Sequence, residues 1–166
     1  MSQFRIEHDL LGEAEIPASA FWGIHTLRAI ENYPITGKTI GTYTSLVRAL
    51  ALVKQAAAEA NAALGHLPKE KTEAIVGACR DILDGQLHDQ FVVDVIQGGA
   101  GTSTNMNANE VIANRALERM GHAKGEYQFV HPINDVNMSQ STNDVYPTAL
   151  RVATCLAIGE LLSAMA

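Results

Sequence analysis

Two segments of the sequence combine residue types that could bind a carboxylate. The first, at 98–110, reads GGAGTSTNMNANE, with three glycines ahead of hydroxyl and amide side chains. Small residues let the backbone approach a ligand closely. The segment also precedes a predicted helix, whose N-terminus carries free N–H groups and the positive end of the helix dipole. The alternative is a glycine turn followed by an ordinary Thr or Ser N-cap.

The second segment, at 139–144, reads SQSTND and lies at another predicted helix start. Its run of cap-type residues exceeds what one N-cap needs, because a single side chain satisfies only one or two of the free N–H groups. The surplus hydroxyl and amide groups could bind an anion at the helix N-terminus. Simple helix capping remains the alternative interpretation.

Composition predicts one mainly α-helical domain and disfavours several classes of function. The 166 residues are 47% hydrophobic, much of it alanine, and only 5% aromatic, which favours helices over a β-sandwich. The net charge is −6 with no basic cluster, so we expect no nucleic-acid partner. Cys79 and Cys155 lie in apolar helical patterns and are predicted to be buried. The histidines lack metal-ligand spacing, so no metal is expected.

No segment of the sequence is predicted to enter a membrane. Residues 1–9 carry charges and no apolar core, which argues against a secretory signal. The most apolar stretch, 145–166, is interrupted by Pro147, Arg151 and Glu160. We therefore expect a cytoplasmic protein without membrane partners.

The elements that must position the two segments follow from hydrophobic periodicity. Residues 1–43 show no sustained helical period and are interpreted as an extended arm. Helices are predicted over 44–64, 68–85 and from 102–105 to Gly121, with 91–96 as a strand or buried connection. The inward face of the first is expected to carry Leu46, Ala49, Leu50, Val53, Ala57, Ala60 and Leu64.

A fourth helix is predicted from 141–144 onward, with no stop signal before Ala166. Apolar residues surround it nearly completely toward its end, so it requires burial by further helices. The chain supplies too few of these, and we expect the helix to continue beyond the chain.

Taken together, the motifs resemble the fumarase/aspartase superfamily. GGAGTS at 98–103, NMNANE at 105–110 and SQSTND at 139–144 occur in the order typical of that superfamily. The sequence FWGIHTLRA at 21–29 contains the Thr-x-Arg-Ala pattern of aspartate ammonia-lyases, and GEYQ at 125–128 also resembles them. Three separated matches in the right order are far more specific than one.

The resemblance implies a fold and a set of binding residues. It implies an N-terminal helical domain over 1–138 with an extended arm, and the start of a central helical bundle over 139–166. Thr102, Ser141, Thr142 and Asn143 match family residues that contact a dicarboxylate substrate. Arg28 is a further candidate, with a surface or subunit contact as the alternative. His131 matches a secondary anion site of fumarases, although Ile133 and Met138 depart from the pattern there.

The resemblance further implies an activity, the reversible conversion of L-aspartate to fumarate and ammonia by a homotetramer without cofactor. The family's catalytic base, a serine on a Gly-Ser-Ser-x-Met-Pro-x-Lys-x-Asn loop, has no match in this sequence. We therefore expect no catalytic residue and no appreciable lyase activity in this chain alone. Fumarate hydratase is the enzymatic alternative, and a non-catalytic helical assembly module is the other.

Overall fold

The computed structural model describes residues 3–166 and is mainly helical, as the composition predicts. Its regular elements are a β-hairpin and five α-helices within that described range. The strands are β1 (Phe4–Asp9) and β2 (Gly12–Pro17). The helices are α1 (Ile24–Asn32), α2 (Thr44–Ala63), α3 (Lys69–Leu83), α4 (Thr102–Arg119) and α5 (Thr142–Met165).

The arm is more structured than its sequence suggests. Strands β1 and β2 pair antiparallel, from Phe4 opposite Pro17 to Asp9 opposite Gly12, and α1 follows. The prediction of an extended arm is therefore wrong over 24–32, while residues 1 and 2 of that predicted arm lie outside the described residues. Helix α1 is stabilised by carboxylates from distant parts of the chain, described below, which a local pattern does not reveal.

Helix α2 forms where predicted, but its inward face is displaced by about one residue. Leu64 lies outside the helix and is 70% exposed, while Lys54 is completely buried and Asn61 nearly so. Polar side chains can be buried when hydrogen bonds satisfy them, and both of these side chains are hydrogen-bonded. An apolar pattern counts such residues as solvent-facing and so assigns the wrong face.

The core lies between α2, α3 and α4. Helices α2 and α3 pack against each other after a short turn in which Gly65 adopts φ +77°. Residues 91–96 form an irregular connection and not a strand, with Phe91 and Val93 in the core and Ile96 exposed. Backbone hydrogen bonds from Ile40 to Val93 and from Val95 to Lys38 tie this connection to the end of the arm.

Helix α5 packs on α2 through one narrow stripe, Val145, Ala149 and Ala153. The remaining surface is open, with Leu161 58% and Leu162 62% exposed. By length and composition alone α5 could span a membrane. The interruption of this helix by Pro147, Arg151 and Glu160 argues against a membrane span, and that expectation stays a prediction. Cys155 lies on the open surface, so its predicted burial is wrong, whereas Cys79 is buried as predicted.

Candidate carboxylate-binding site

The glycine-rich loop leads into α4 without the side-chain cap that the alternative interpretation requires. Gly101 is the N-cap residue, with φ +88° and no side-chain cap bond. The Thr104 N–H donates instead to Gln97 Oε1 at 2.8 Å, and the Gln97 amide also contacts the Thr104 hydroxyl. Within residues 3–166, the hydroxyl of the exposed Thr102 has no hydrogen-bond partner. Thr102 therefore retains its donor at the positive end of α4.

Gly101 brings the two sequence segments together. A Cβ atom at this position would overlap the aromatic ring of Tyr146, which lies in the first turns of α5. The backbone of the loop therefore packs directly on α5. Only glycine meets both demands, since its φ is positive and no side chain fits in the space.

The start of α5 uses one of its cap-type residues as a cap. Ser141 is the N-cap, and its Oγ accepts the Asn143 N–H at 3.2 Å. Thr142 Oγ1 accepts a hydrogen bond from Asn105 Nδ2 at 3.1 Å, so its own hydroxyl proton remains available. The Asn143 side chain is exposed and has no partner in the described part of the chain. Helix capping thus accounts for Ser141, while the Thr142 hydroxyl and the Asn143 side chain are not used as caps.

Both segments line one cavity of about 550 Å³. Gly99, Ala100 and Gly101 form one side, while Asn143 and Tyr146 form the other. Asp94 anchors the loop by accepting hydrogen bonds from N–H groups of Ile96 and of the arm. These bonds, of which the one from Ile96 has the largest effect, lower the pKa of Asp94 to about 2. The cavity is therefore bounded by the N-termini of two helices.

Behind the cavity lies a buried polar network that the sequence did not reveal. Lys54 Nζ donates to Asn137 Oδ1 at 2.7 Å and to Gln140 Oε1 at 3.1 Å. Asn137 Oδ1 also accepts Nδ2 of Asn105 at 3.1 Å and of Asn109 at 3.3 Å. One feature of the sequence could have indicated the burial of Lys54, because it lies at helical spacing from the apolar residues Leu50, Ala51 and Ala58, which share the buried face of α2.

Lys54 is buried without a counter-ion. No carboxylate forms an ion pair with it among residues 3–166. Burial lowers the pKa of its amine to about 7, and the electrostatic interaction with Cys79 on α3 acts in the opposite direction. Burial also raises the pKa of Cys79 to about 12, so this thiol is neutral at ordinary pH. The Lys54 amine can therefore change its charge near neutral pH.

A second buried network holds the arm on α4. Glu110 accepts the N–H groups of Gly23, His25 and Thr26 and the Thr26 hydroxyl, at 2.6 to 3.1 Å. Glu7 accepts the Ile24 N–H at 2.9 Å. Two carboxylates thus satisfy the N-terminus of α1, where the helix dipole favours negative charge. The sequence placed Glu110 in a ligand-binding segment, but its carboxylate is occupied by the arm.

Among the predicted site residues Asn143 alone lines the cavity, since Thr102, Ser141 and Thr142 are not part of its lining and the weaker candidates Arg28 and His131 also lie away from it. Arg28 Nε is 3.3 Å from Asp9 Oδ2, so it forms an ion pair within its own chain. His131 Nδ1 accepts the N–H groups of Ile133 and Asn134 and caps the π-helical turn Pro132–Val136. Burial lowers the pKa of His131, which fits this accepting role. Residues 3–166 contain no group of His, Cys, Asp or Glu arranged to hold a metal ion.

Comparison with known proteins identifies the family. A family model described as "Lyase" matches residues 12–166. The chain is 62% identical over 161 residues to an aspartate ammonia-lyase of Pseudomonas aeruginosa, covering 97% of this chain and 34% of that protein. It is 52% identical over 165 residues to the aspartate ammonia-lyase of Escherichia coli, covering 99% and 34%. The chain thus spans about a third of the length of these relatives.

Solved structures of related proteins have the same fold. A fumarate lyase:delta crystallin from Brucella melitensis aligns with a TM-score of 0.90 at 62% identity, over 92% of this chain and 34% of that one. A class II fumarase from Schistosoma mansoni aligns with a TM-score of 0.84 at 36% identity, over 90% and 31%. The chain therefore belongs to the matched lyase family, within the fumarase/aspartase superfamily.

Proposed function

We propose that this chain supplies the carboxylate-binding part of an aspartate ammonia-lyase, which converts L-aspartate reversibly to fumarate and ammonia. The observation that carries the proposal is the shared cavity, in which the glycine loop and Asn143 meet at the N-termini of α4 and α5. Neutral donors at helix N-termini suit a carboxylate without a metal. Identity of 52% to 62% with aspartate ammonia-lyases favours this activity over fumarate hydration, since the fumarase is 36% identical.

The proposed binding residues are Thr102, Ser141, Thr142 and Asn143. Removal of a proton next to one carboxylate of aspartate moves negative charge onto that carboxylate before ammonia leaves. Hydroxyl and amide donors that are already in place stabilise this developing charge more than they stabilise the substrate. Ser141 and Thr142 retain their hydroxyl protons, because the hydrogen bonds described above use only their oxygen lone pairs.

The catalytic base belongs to a part of the site that these 166 residues do not provide. The family's serine loop has no match in the sequence, so we propose that the isolated chain has no appreciable lyase activity. The open apolar surface of α5 supports assembly with further helices, as expected for a cytoplasmic homotetramer acting in aspartate metabolism. The arginine and histidine candidates, Arg28 and His131, have secondary roles at most in this proposal.

A grafted enzyme tests the proposal. This chain would replace the matching third of the Pseudomonas aeruginosa relative, over the 161 aligned residues. We expect the graft to release ammonia from aspartate and to leave malate unchanged. Activity on malate alone would favour fumarate hydratase instead. A folded graft that is inactive on both substrates, beside an active parent enzyme, would support the non-catalytic helical module.

A further inference from the structure

Lys54 is connected to the start of α5 through three hydrogen bonds. Its Nζ donates to Asn137 Oδ1, the same oxygen accepts Asn105 Nδ2, and Asn105 Nδ2 also donates to Thr142 Oγ1. We call these four side chains the Lys54 relay. Lys54 and Asn105 are at most 1% exposed, whereas Asn137 and Thr142 are partly exposed, so the relay runs from the interior toward the surface.

The amine determines the direction of every bond in the relay. An ammonium group has only donors, so the Asn137 atom that faces it must be the carbonyl oxygen. The Asn105 atom that faces this oxygen must then be the amide nitrogen. That nitrogen has two hydrogens, of which one goes to Asn137 and the other to Thr142. Thr142 Oγ1 is therefore an acceptor inside the protein, which leaves the proton of this partly exposed hydroxyl available for another acceptor.

This orientation leaves polar atoms without partners elsewhere. The Oδ1 atoms of Asn105 and Asn109 are buried and have no hydrogen-bond partner within residues 3–166. An unsatisfied buried acceptor is costly. The amides keep this arrangement because the opposite orientation would turn an N–H group toward the Lys54 ammonium. The orphaned oxygens are thus the consequence of the buried cation.

We propose that Lys54 is a positioning residue for dicarboxylate binding, because the relay forces the Thr142 hydroxyl to act as a donor toward the ligand. This inference rests on the proposed function and extends it to a residue outside the cavity lining. In its protonated form, Lys54 Nζ also places a positive charge behind the neutral Thr142 hydroxyl.

The charge state of the amine supports the same conclusion. The pKa of Lys54 is about 7, with burial as its main cause. Within residues 3–166, the groups that interact with the amine are the amides of Asn137 and Gln140, which accept its hydrogen bonds, and the Cys79 thiol on α3. None of these is a carboxylate. Only the protonated amine is confined to donating, since the neutral amine also carries a lone pair, so we expect dicarboxylate binding to weaken as the pH rises through 7.

A double-mutant cycle in the grafted enzyme tests the proposal, with binding of succinate measured by calorimetry. We expect Lys54→Met to raise the dissociation constant about tenfold, as loss of one charge-assisted positioning interaction would. Thr142→Val should weaken binding similarly, and adding Lys54→Met to it should cost little more, because Lys54 acts through that hydroxyl. Lys71→Met is the control, since Lys71 pairs with Asp135 outside the relay.

Two results would overturn the inference. One is unchanged succinate binding in Lys54→Met. The other is a double variant whose dissociation constant rises by the product of the two single-variant factors. Calorimetry also separates this inference from the proposed function, since a graft that binds succinate without releasing ammonia contradicts only the activity. If the graft binds no succinate, NMR of this chain decides. The side-chain amide signals of Asn105 and Asn137 should titrate near pH 7, and identical titration in Lys54→Met would overturn the relay.

Discussion

The amide of Gly23 donates a hydrogen bond to Glu110 Oε2 at 2.8 Å, across 87 residues of sequence. Gly23 is required there, because a Cβ atom would approach Glu7 Oε2 to 2.5 Å. This contact joins the arm to the helix that begins with Thr102. The carboxylate of Glu110 therefore has a structural role, although it lies within a segment that reads as a ligand site.

Substitution of Glu110 should destabilise the fold. Glu110→Ala leaves several buried N–H groups at the start of α1 without acceptors, which should lower the free energy of unfolding by about 2 to 4 kcal/mol. Glu110→Gln retains one accepting oxygen and should lose less. Urea denaturation of this chain measures both effects. Glu160→Gln is the exposed control on α5, and an Ala variant as stable as that control would contradict the role given to Glu110.

A matched pair of glycines tests the close approach between the loop and α5. Gly101 and Gly121 have similar φ values, +88° and +82°, but only Gly101 faces a side chain, the ring of Tyr146. Gly121→Ala should cost about 1 kcal/mol for the left-handed backbone alone. Gly101→Ala should cost about 1 to 3 kcal/mol more, because the ring must move. Equal urea midpoints for the two variants would show that the loop does not pack on α5 as described.

The pH dependence of stability should reveal the buried Lys54. Its pKa falls from 10.5 in the unfolded chain to about 7 in the folded one, so the unfolded chain binds more protons between these values. Stability from this group is therefore lost as the pH falls from 10.5 to 7, and it grows as the pH rises. Between pH 7 and pH 9, the native chain should gain about 2 kcal/mol relative to Lys54→Met.

Urea unfolding at several pH values measures that difference. The window ends at the ordinary Cys79 value of 9.0, because above it the raised pKa of the Cys79 thiol lowers the stability and offsets the gain from Lys54. Lys71→Met, which removes a lysine paired with Asp135, should follow the native chain. A constant difference between the native chain and Lys54→Met from pH 7 to pH 9 would mean that Lys54 titrates normally.

The two thiols should differ strongly in reactivity. Cys155 is exposed on α5, while Cys79 is buried in the core with its pKa raised to about 12. Because the thiolate is the reactive form, a thiol reagent should label Cys155 quickly and Cys79 only after unfolding. Cys155→Ser should remove the fast phase in dilute native protein. A fast phase that survives this substitution would place Cys79 within reach of solvent.

Local patterns were sufficient to predict most of the helical framework. Helices α2, α3 and α4 begin and end close to their predicted limits and α5 begins close to its predicted start, because glycine stops, caps and apolar spacing are signals within a few residues. Helix α1 escaped prediction because its N-terminus is satisfied by Glu7 and Glu110, which are remote in sequence. The buried face of α2 was misassigned because Lys54 is polar, and its partners lie more than 80 residues away.

The location of the candidate site could be predicted from the sequence, whereas binding by Thr102, Ser141, Thr142 and Asn143 stays a prediction and the support of the site was not foreseen. The glycine loop and the start of α5 were identified from residue types and resemblance, and they line one cavity. The side chains behind them, Asn105, Asn137 and Lys54, acquire their roles only when three elements meet. A single sequence does not indicate which buried amides will be neighbours.

The most direct test of the central proposal is ammonia release from aspartate by the graft and by its Asn143→Ala variant. Asn143 faces the cavity and has no partner within residues 3–166, so its loss should leave the fold intact. Loss of one donor to the developing carboxylate charge should reduce kcat by a factor of about 100 to 1000. Asn134→Ala, at an exposed position outside the cavity, should retain the activity of the graft. Equal rates in the graft and its Asn143→Ala variant would contradict carboxylate binding at this site.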